Sequence, residues 1–335
     1  MDTITYAKMF AYSQFLVKLP YPTSDFTGQT IIVTGANTGL GLEAARHFIR
    51  LNATKVIVAV RTVSKGEAAV VEIVRTTQAD PSRLEVWPLD LSSYDSIKAF
   101  AQRAQGLDRL DAMVQNAGIL TQHWKVEEGM ESHITVNVIS PILLGLLLLP
   151  KLRESGKAYD KVGHLSFVGS DLQYLAKFQE KCTDGSLLEA LNDKDKTDMG
   201  DRYNVSKLLL LYAVRSIARL SPVTLDSPVI INCLTPGACT SDIFRDEPGW
   251  SQKILMGIAM KIVARTTEAG SRTLVHAASP VVGVETHGKF LMDCKVYPSG
   301  PNVESDEGKV LEESFWKELV QRLEDIRLGV CKDLF

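Results

Sequence analysis

The chain has 335 residues, of which 45% are apolar and 23% are charged, with a formal net charge of −3 at pH 7. This length and apolar content can bury the core of one large domain over residues 28–300, between an extension at 1–27 and a C-terminal segment at 301–335. The slightly acidic balance, with no basic cluster, argues against nucleic acid as a partner. The five cysteines and six histidines lack metal-ligand spacing, so we expect reduced thiols, a cytoplasmic protein and no metal.

Apolar runs that favour β-strands alternate along the chain with segments that favour helices. Strands that alternate with helices in this way form parallel sheets covered on both faces. The pattern therefore predicts an α/β fold with a doubly wound parallel sheet. The predicted strands lie at 30–34, 55–60, 84–88, 110–114, 162–168, 228–234 and 288–292.

The first of these runs leads into a glycine-rich turn, T-G-A-N-T-G-L-G at residues 34–41, and a helix-like segment follows directly. Glycines let the backbone turn tightly and approach a pyrophosphate, while a helix N-terminus offers unpaired N–H groups. The order of strand, glycine-rich turn and helix predicts a site for the phosphates of a dinucleotide. The alternative is a glycine-rich turn that binds no ligand. The predicted contacts are Gly35, Asn37, Thr38, Gly39, Leu40 and Gly41.

Tyr203 and Lys207 form a Y-x-x-x-K pair on a predicted helix, where residues four apart share one face. A neighbouring ammonium favours the phenolate, so the pair predicts a lowered pKa for Tyr203. Such a pair occurs by chance on many helices. It becomes a specific indication of function only because the glycine-rich turn precedes it in the same chain.

These motifs, in this order, resemble those of the short-chain dehydrogenase/reductase family over most of residues 28–300. The family's T-G-x-x-x-G-x-G motif is matched by residues 34–41, and its N-N-A-G segment by residues 115–118, where Gln replaces the first Asn. Its active-site asparagine and serine resemble Asn137 and Ser170. The resemblance implies a single Rossmann-type sheet and a nicotinamide cofactor.

The resemblance also implies a role for each active-site residue. Tyr203 would exchange a proton with the substrate oxygen, and Lys207 would hold the nicotinamide ribose and lower the pKa of Tyr203. Ser170 would hydrogen-bond the carbonyl oxygen, while Asn137 would hold a water that links Lys207 to solvent. Ser166 is the alternative serine, and Ser170 is favoured because it follows the apolar run. The further nucleotide contacts implied are Asn116, Ala117, Gly118, Tyr203, Lys207, Pro236 and Gly237.

The residues after the second predicted strand indicate which nicotinamide cofactor is used. Dinucleotide folds that prefer NAD place an acid there, but here Arg61 follows the strand and Lys65 comes one turn later. A guanidinium matches a 2′-phosphate in charge and geometry. The sequence therefore predicts NADP(H) as the cofactor. The alternative is that Arg61 is a solvated charge on a loop and binds no phosphate.

Two further contacts follow from the resemblance. Asp90 and Leu91 match the family's adenine-contacting pair, although helix capping in this stretch competes as an explanation. Past the Pro-Gly turn, Thr240 and Ser241 are both candidates for binding the nicotinamide carboxamide.

Two segments are expected to shape the substrate pocket. A long insertion at 175–200 separates Ser170 from Tyr203, and we expect a short helix near residues 186–191 and a pocket or lid role; a tolerated surface excursion is the alternative. The region 242–265 corresponds to the family's substrate-binding helices. Its apolar residues predict a hydrophobic substrate, and they are Phe244, Trp250, Leu255 and Met256.

The extension at 1–27 is predicted to form an amphipathic helix that packs on its own domain or on a partner subunit. Covering the pocket mouth and resting on a membrane are the alternatives. The predicted apolar stripe of the extension consists of Tyr6, Met9, Tyr12, Leu16 and Leu19.

Two other segments are expected to belong to the domain. The apolar run at 141–150 is shorter than the roughly 20 residues of a membrane span, and a helix near 310–326 should dock on the domain.

Taken with the resemblance, the residues predict an NADP(H)-dependent oxidoreductase that acts on a hydrophobic ketone, aldehyde or alcohol. The pattern looks most like fungal-type and retinol-dehydrogenase-like members, which implies lipid or secondary metabolism by analogy. The family often forms homodimers. A non-redox isomerisation or cyclisation, and a non-enzymatic NADP-binding role, are the alternatives.

Overall fold

An eight-stranded sheet forms the centre of the computed structural model, which describes residues 1–182, 185–240, 243 and 263–334. The strand order is β10-β9-β8-β7-β4-β1-β2-β3, and every neighbouring pair is parallel except β9 and β10. The strands in chain order are β1 (Thr30–Thr34), β2 (Lys55–Val60), β3 (Leu84–Pro88), β4 (Ala112–Gln115), β5 (Val126–Glu127), β6 (Met130–Glu131), β7 (Gly163–Val168), β8 (Val229–Thr235), β9 (Phe290–Met292) and β10 (Lys295–Tyr297). The short β5 and β6 pair with each other in a separate ribbon.

The predicted doubly wound sheet is confirmed, with all seven predicted strands present at slightly shifted ends. The chain runs outward from β1 through β2 to β3, then returns to β4 on the other side of β1. Between β1 and β4 the order reverses, which opens a crevice at the carboxyl ends of these strands. The antiparallel β10 was not predicted, because a three-residue edge strand leaves too short a pattern to detect.

Helices cover both faces of the sheet. Among the described residues they are α1 (Thr3–Ala11), α2 (Gly39–Arg50), α3 (Val63–Thr77), α4 (Tyr94–Gln105), α5 (Ser132–Ile134), α6 (Ser140–Tyr159), α7 (Leu187–Leu191) and α8 (Met199–Leu220), followed by Thr267–Ala277, Pro301–Glu304 and Asp306–Ile326. Two π-helical turns lie at Tyr12–Leu16 and Thr135–Ile139.

Strand alternation divides the core into two clusters. Ile31 and Val33 pack on the face covered by α2 and the helix Thr267–Ala277. Ile32, which lies between them, packs on the face covered by α4, α6 and α8. Because successive side chains of a strand point to opposite faces, continuously apolar strands are what a sheet covered on both sides requires.

One helical run among the described residues, Ser132–Tyr159, is long and apolar enough to cross a membrane by length and composition. Within the protein, 94% of its apolar window is buried. The run contains α6, which packs against α4 and β7, so its apolar character is that of a core helix.

The extension packs on its own domain, as predicted, but the predicted stripe is partly wrong. Leu19 is buried, whereas Tyr12 and Leu16 are 62% and 73% exposed. The α-helix ends at Ala11, so the 3.6-residue period does not extend to Tyr12, and the wider winding of the π-helical turn Tyr12–Leu16 takes Leu16 off the α-helical face.

The insertion forms the predicted short helix α7, and it packs on the C-terminal helix Asp306–Ile326. The Glu318 carboxylate accepts hydrogen bonds from Ser186 Oγ at 2.6 Å and from the backbone N–H of Leu187 and Leu188 at 2.9 Å each. A carboxylate at a helix N-terminus satisfies unpaired N–H groups and the helix dipole. The C-terminal helix docks on the domain as predicted, through buried Phe315, Leu319 and Leu323.

Candidate active site

A cavity of about 1060 Å³ opens where the carboxyl ends of the parallel strands meet. Its wall is built by loops that follow β1, β2, β4, β7 and β8, together with residues of α8. This is the crevice that the sheet topology creates. The predicted site residues in the wall are Gly35, Asn37, Thr38, Gly39, Leu40, Arg61, Lys65, Asn116, Ala117, Gly118, Ser170, Tyr203, Lys207, Pro236 and Gly237.

The glycine-rich turn has the geometry that its sequence predicts. Gly35 and Gly39 have φ of +66° and +57°, in the left-handed region that favours glycine. Gly41 lies behind the wall, where an added Cβ would stand 2.6 Å from both Asn116 Nδ2 and Gly35 O. Its role is therefore to let the start of α2 pack closely on the loops after β1 and β4.

Hydrogen bonds tie the ends of β1 and β4 together at this point. Thr34 Oγ1 accepts hydrogen bonds from the backbone N–H of Asn116 and Ala117, both at 2.9 Å. Asn116 Nδ2 donates to Thr34 O at 2.9 Å. The two matched motifs thus form one rigid floor of the cavity.

Ser170, Tyr203 and Lys207 converge at the other end. Ser170 follows β7, and its Oγ accepts from Leu172 N at 3.2 Å, which caps the 3₁₀ turn Asp171–Leu175. Lys207 Nζ donates to Val168 O at 2.8 Å. The alternative serine, Ser166, is fully buried and donates to Ala277 O instead, so the structure places Ser170 in the cavity wall.

The predicted lowering of the Tyr203 pKa by Lys207 is wrong for the described geometry. Burial raises the pKa of Tyr203 and the negative charge of Asp171 raises it further, while the hydrogen bond from Ser170 acts in the opposite direction. Lys207 Nζ lies 5.6 Å from the Tyr203 ring centroid, where Val168 O holds it. Burial also lowers the pKa of Lys207 to about 8.

Asn137 lies behind the wall, inside the π-helical turn Thr135–Ile139. Its Oδ1 accepts from Ile119 N at 2.9 Å, and its Nδ2 donates to Ile119 O at 2.9 Å and to Ser206 Oγ at 3.1 Å. The side chain therefore clamps the loop after β4 onto α8, next to Lys207. Its water-holding role remains a prediction.

Arg61 and Lys65 mark the far end of the cavity. Both are exposed, and neither has an ion-pair partner among the described residues. Thr62 of the same loop also lines the wall and was not singled out from the sequence. Glu72, which also lines the wall, is paired with Arg75 at 2.8 Å. Cations that have no ion-pair partner at the end of a cavity can bind an anion.

Some predicted contacts lie elsewhere. Asp90 and Leu91 are outside the wall: Asp90 Oδ1 accepts from Ser92 N and Oγ, and Leu91 O accepts from Ser140 Oγ. Ser93 caps α4, as the competing explanation holds, so the adenine contact remains a prediction.

The cavity wall does not distinguish between Thr240 and Ser241, the two candidates for binding the nicotinamide carboxamide. Thr240 lies outside it and pairs through its N–H with Arg265 O. Ser241, together with Phe244, Trp250, Leu255 and Met256, lies outside the described residues.

The insertion is not part of the wall. None of its described residues, 175–182 and 185–200, lines the cavity. Ser186 Oγ donates to Glu318 of the C-terminal helix, and Glu180 accepts from Arg202 of α8. The pocket or lid role of the insertion has no support from the described wall and remains a prediction.

The wall residues that the sequence did not indicate as site residues include Tyr6 and Phe10 of α1, and Asp171 next to Ser170. Tyr6 was placed on an apolar stripe, and a cover over the pocket mouth was only an alternative for the extension. No motif marks these positions. The signal available was the adjacency of Asp171 to Ser170.

Comparison with known proteins agrees with this geometry. The family described as short chain dehydrogenase matches residues 29–171. The chain is 42% identical over 328 residues to the short chain dehydrogenase/reductase dmxR8 of Cryptosporiopsis sp., covering 97% of this chain and 99% of that protein. It is also 42% identical over 294 residues to the short chain dehydrogenase atnD of Emericella nidulans, covering 86% and 91%. The chain therefore belongs to the short-chain dehydrogenase/reductase family, and these relatives are fungal.

Solved structures share the fold at low identity. A 3-oxoacyl (acyl-carrier-protein) reductase from Agrobacterium tumefaciens with NADP bound has a TM-score of 0.58 at 18% identity, over 80% of this chain and 93% of that one. A short-chain dehydrogenase from Sphingobium yanoikuyae in complex with NADPH has a TM-score of 0.53 at 19% identity, over 73% and 82%. At these identities the likeness establishes the fold.

Proposed function

We propose that this family member is an NADP(H)-dependent oxidoreductase that transfers hydride between nicotinamide and a hydrophobic ketone, aldehyde or alcohol. One observation carries the proposal: a single cavity joins the glycine-rich turn and Arg61 at one end to Ser170, Tyr203 and Lys207 at the other. A pure nucleotide binder needs the first end but has no use for a proton donor at the second.

The described wall fits the dinucleotide. The left-handed Gly35 and Gly39 and the start of α2 offer a close backbone approach for a pyrophosphate. Arg61 and Lys65 suit the additional 2′-phosphate of NADP. The two solved structures that hold NADP and NADPH support this choice of cofactor.

When bound, the nicotinamide supplies or accepts the hydride. At neutral pH the raised pKa keeps Tyr203 protonated, and this is the form that can donate a proton to a carbonyl oxygen. Ser170 lies beside Tyr203 in the wall, and its hydroxyl can donate to the same substrate oxygen as charge develops there. Lys207, whose pKa is about 8, provides positive charge beside them at neutral pH.

The wall around this end is apolar, which favours a hydrophobic substrate. The apolar side chains that line it are Phe10, Leu120, Leu172 and Ile243. A role in lipid or secondary metabolism is the extension of this proposal that the resemblance supports.

The test is oxidation of NADPH by the purified protein with a panel of ketones and aldehydes, followed by absorbance. Tyr203→Phe should lower kcat by at least about 10²-fold, because it removes the proton donor, while NADPH binding measured by fluorescence stays within about twofold of wild type. Tyr159→Phe is the matched control, since Tyr159 is on α6 and lies outside the cavity wall.

A Tyr203→Phe variant with full activity contradicts the assignment of the proton donor. Conversion of a substrate that depends on Tyr203, but leaves the nicotinamide absorbance unchanged, favours the non-redox isomerisation or cyclisation instead.

A further inference from the structure

The wall beside Ser170 is partly built by the N-terminal helix α1. Tyr6 and Phe10 of α1 both line the cavity, with ring centroids 5.9 Å apart and ring planes inclined by 25°. Leu120 and Leu172 lie in the same wall. Near-parallel aromatic rings beside aliphatic side chains form a surface suited to a flat apolar ring.

One polar pair interrupts this apolar surface. The Tyr6 hydroxyl donates to Asp171 Oδ2 at 2.9 Å, and Thr235 Oγ1 donates to Asp171 Oδ1 at 3.1 Å. Asp171 is only 6% exposed and has no ion-pair partner among the described residues. Arg265, a nearby cation, pairs with Asp293 at 2.8 Å. The hydride transfer proposed above makes no use of Asp171.

The hydrogen-bond inventory of this pair indicates what it can bind. The single proton of Tyr6 is donated to Asp171, so the phenolic oxygen can offer the cavity only lone pairs. Both Asp171 oxygens accept hydrogen bonds in this geometry, from Tyr6 and Thr235, although burial raises the pKa of this carboxyl group. A ligand group that meets this pair must therefore supply the proton, as a hydroxyl does.

We propose that Tyr6 and Asp171 form a specificity site that accepts a hydrogen bond from a hydroxyl group of the substrate. With Tyr6 and Phe10 against its ring, the substrate is a hydroxylated aromatic ketone or the corresponding alcohol. This inference rests on the proposed function for the identity of the reacting carbonyl, and it deepens that proposal by naming the substrate class.

The extension is anchored independently of this pair. Gln14 Nε2 donates to Ala238 O at 2.7 Å and to Val263 O at 2.8 Å, and Ser13 Oγ donates to Asp293 Oδ1 at 2.8 Å. Tyr6→Phe therefore removes one hydroxyl while these contacts keep α1 on the domain.

The experiment compares α-tetralone, its ring-hydroxylated isomers and analogues with fluorine at the same ring positions. Fluorine is close to a hydroxyl in size but cannot donate a hydrogen bond. We measure kcat/KM with NADPH, and also the Kd of each probe for the protein loaded with NADP⁺. The binding measurement separates the two proposals, because it decides this inference even where hydride transfer, and with it the proposed function, fails.

For wild type we expect at least one hydroxylated isomer to exceed its fluorinated counterpart by about tenfold or more, both in kcat/KM and in affinity. One buried hydrogen bond contributes about that much to binding. Tyr6→Phe should reduce that ratio to below about threefold while α-tetralone itself is little affected. Tyr12→Phe is the matched control, as Tyr12 is on the same extension and 62% exposed.

Equal binding of hydroxylated and fluorinated probes by wild type overturns the inference, as does failure of every probe to bind. An unchanged ratio in Tyr6→Phe overturns it too. Should Tyr6→Phe fail to fold, the wild-type comparison of hydroxyl with fluorine decides alone.

Discussion

The two ends of the cavity are built in different ways. At the cofactor end, the glycine-rich turn and Arg61 lie at the ends of neighbouring strands, and they offer backbone N–H groups and exposed cations. At the other end, Tyr6 meets Asp171 from 165 positions away, and apolar side chains lie beside this pair and beside Ser170, Tyr203 and Lys207. The first end is suited to an anion and the second to a ring.

This difference explains why the reaction class is easier to predict than the substrate. A phosphate site needs glycines and a helix N-terminus in one fixed order, and therefore leaves a motif. An apolar wall needs only side chains of suitable shape, which any segment able to reach the cavity can supply.

The added segments show the same contrast. The extension enters the cavity wall through Tyr6 and Phe10. The insertion instead contacts α8 away from the cavity. Arg202 of α8 donates through Nη2 to two residues of the insertion, Glu180 Oε1 at 2.8 Å and Thr197 Oγ1 at 2.6 Å. Arg202 Nε also lies 3.7 Å from Glu131 Oε2. We infer that the extension affects specificity and the insertion affects stability.

The largest effect should come from Arg202→Met, which tests the insertion. Arg202 is fully buried, and its loss leaves the carboxylates of Glu131 and Glu180 without their shared cation. Breaking a buried ion pair costs about 3–5 kcal/mol, so the free energy of unfolding in urea should fall by that amount. For the protein that remains folded, KM for the carbonyl substrate should change less than about twofold, because the insertion does not line the cavity.

Lys196→Met is the control for this comparison. Lys196 is exposed and pairs with Asp193 at 3.1 Å, and surface pairs contribute about 0–1 kcal/mol. A strong change in KM with unchanged stability in Arg202→Met would show instead that the insertion shapes the pocket.

Features that depend on local geometry were predicted from the sequence. The glycine-rich turn and the position of Ser170 after β7 each depend on a short segment that leaves a pattern in the sequence. The closeness of Gly41 to Asn116, which leaves no room for a Cβ, is a contact between distant segments that the glycine motif nevertheless marks. The α/β sheet followed from apolar runs that pack on both faces.

Features that depend on distant contacts or on irregular winding were not predicted. The α-helix of the extension gives way at Tyr12 to a π-helical turn, so an assumed period of 3.6 assigned Tyr12 and Leu16 to the wrong face. The pKa of Tyr203 was predicted in the wrong direction because burial exceeds the effect of a cation that Val168 O holds away. The role of Asp171 requires Tyr6 to be close, and the sequence gives no sign of that.

Arg61→Asp is the next largest expected effect and tests the cofactor end. It removes a guanidinium that suits the 2′-phosphate and adds a charge that repels it. A hydrogen bond to a charged group contributes about 1.5–3 kcal/mol, so we expect KM for NADPH to rise about 10- to 100-fold, with little change for NADH. Steady-state kinetics with both cofactors measure this.

Arg327→Asp has the same change in charge at an exposed site outside the cavity wall. It should leave KM for NADPH unchanged, since distant surface charges are screened by salt. If Arg61→Asp resembles this control, then Arg61 is a solvated loop charge and the NADP preference has another origin.

The smallest expected effect is a pH dependence of stability that tests the buried position of Lys207. Burial lowers the pKa of Lys207 from 10.5 to about 8, so between these values the unfolded chain binds more protons than the folded one. The free energy of unfolding of wild type should therefore rise with pH relative to Lys207→Met, by on the order of 1 kcal/mol between pH 7 and 9.5. Urea unfolding at both pH values measures the difference. The difference in stability between wild type and Tyr203→Phe should show no such trend, because burial keeps that phenol protonated. A difference between wild type and Lys207→Met that is independent of pH would show that the ammonium is solvated.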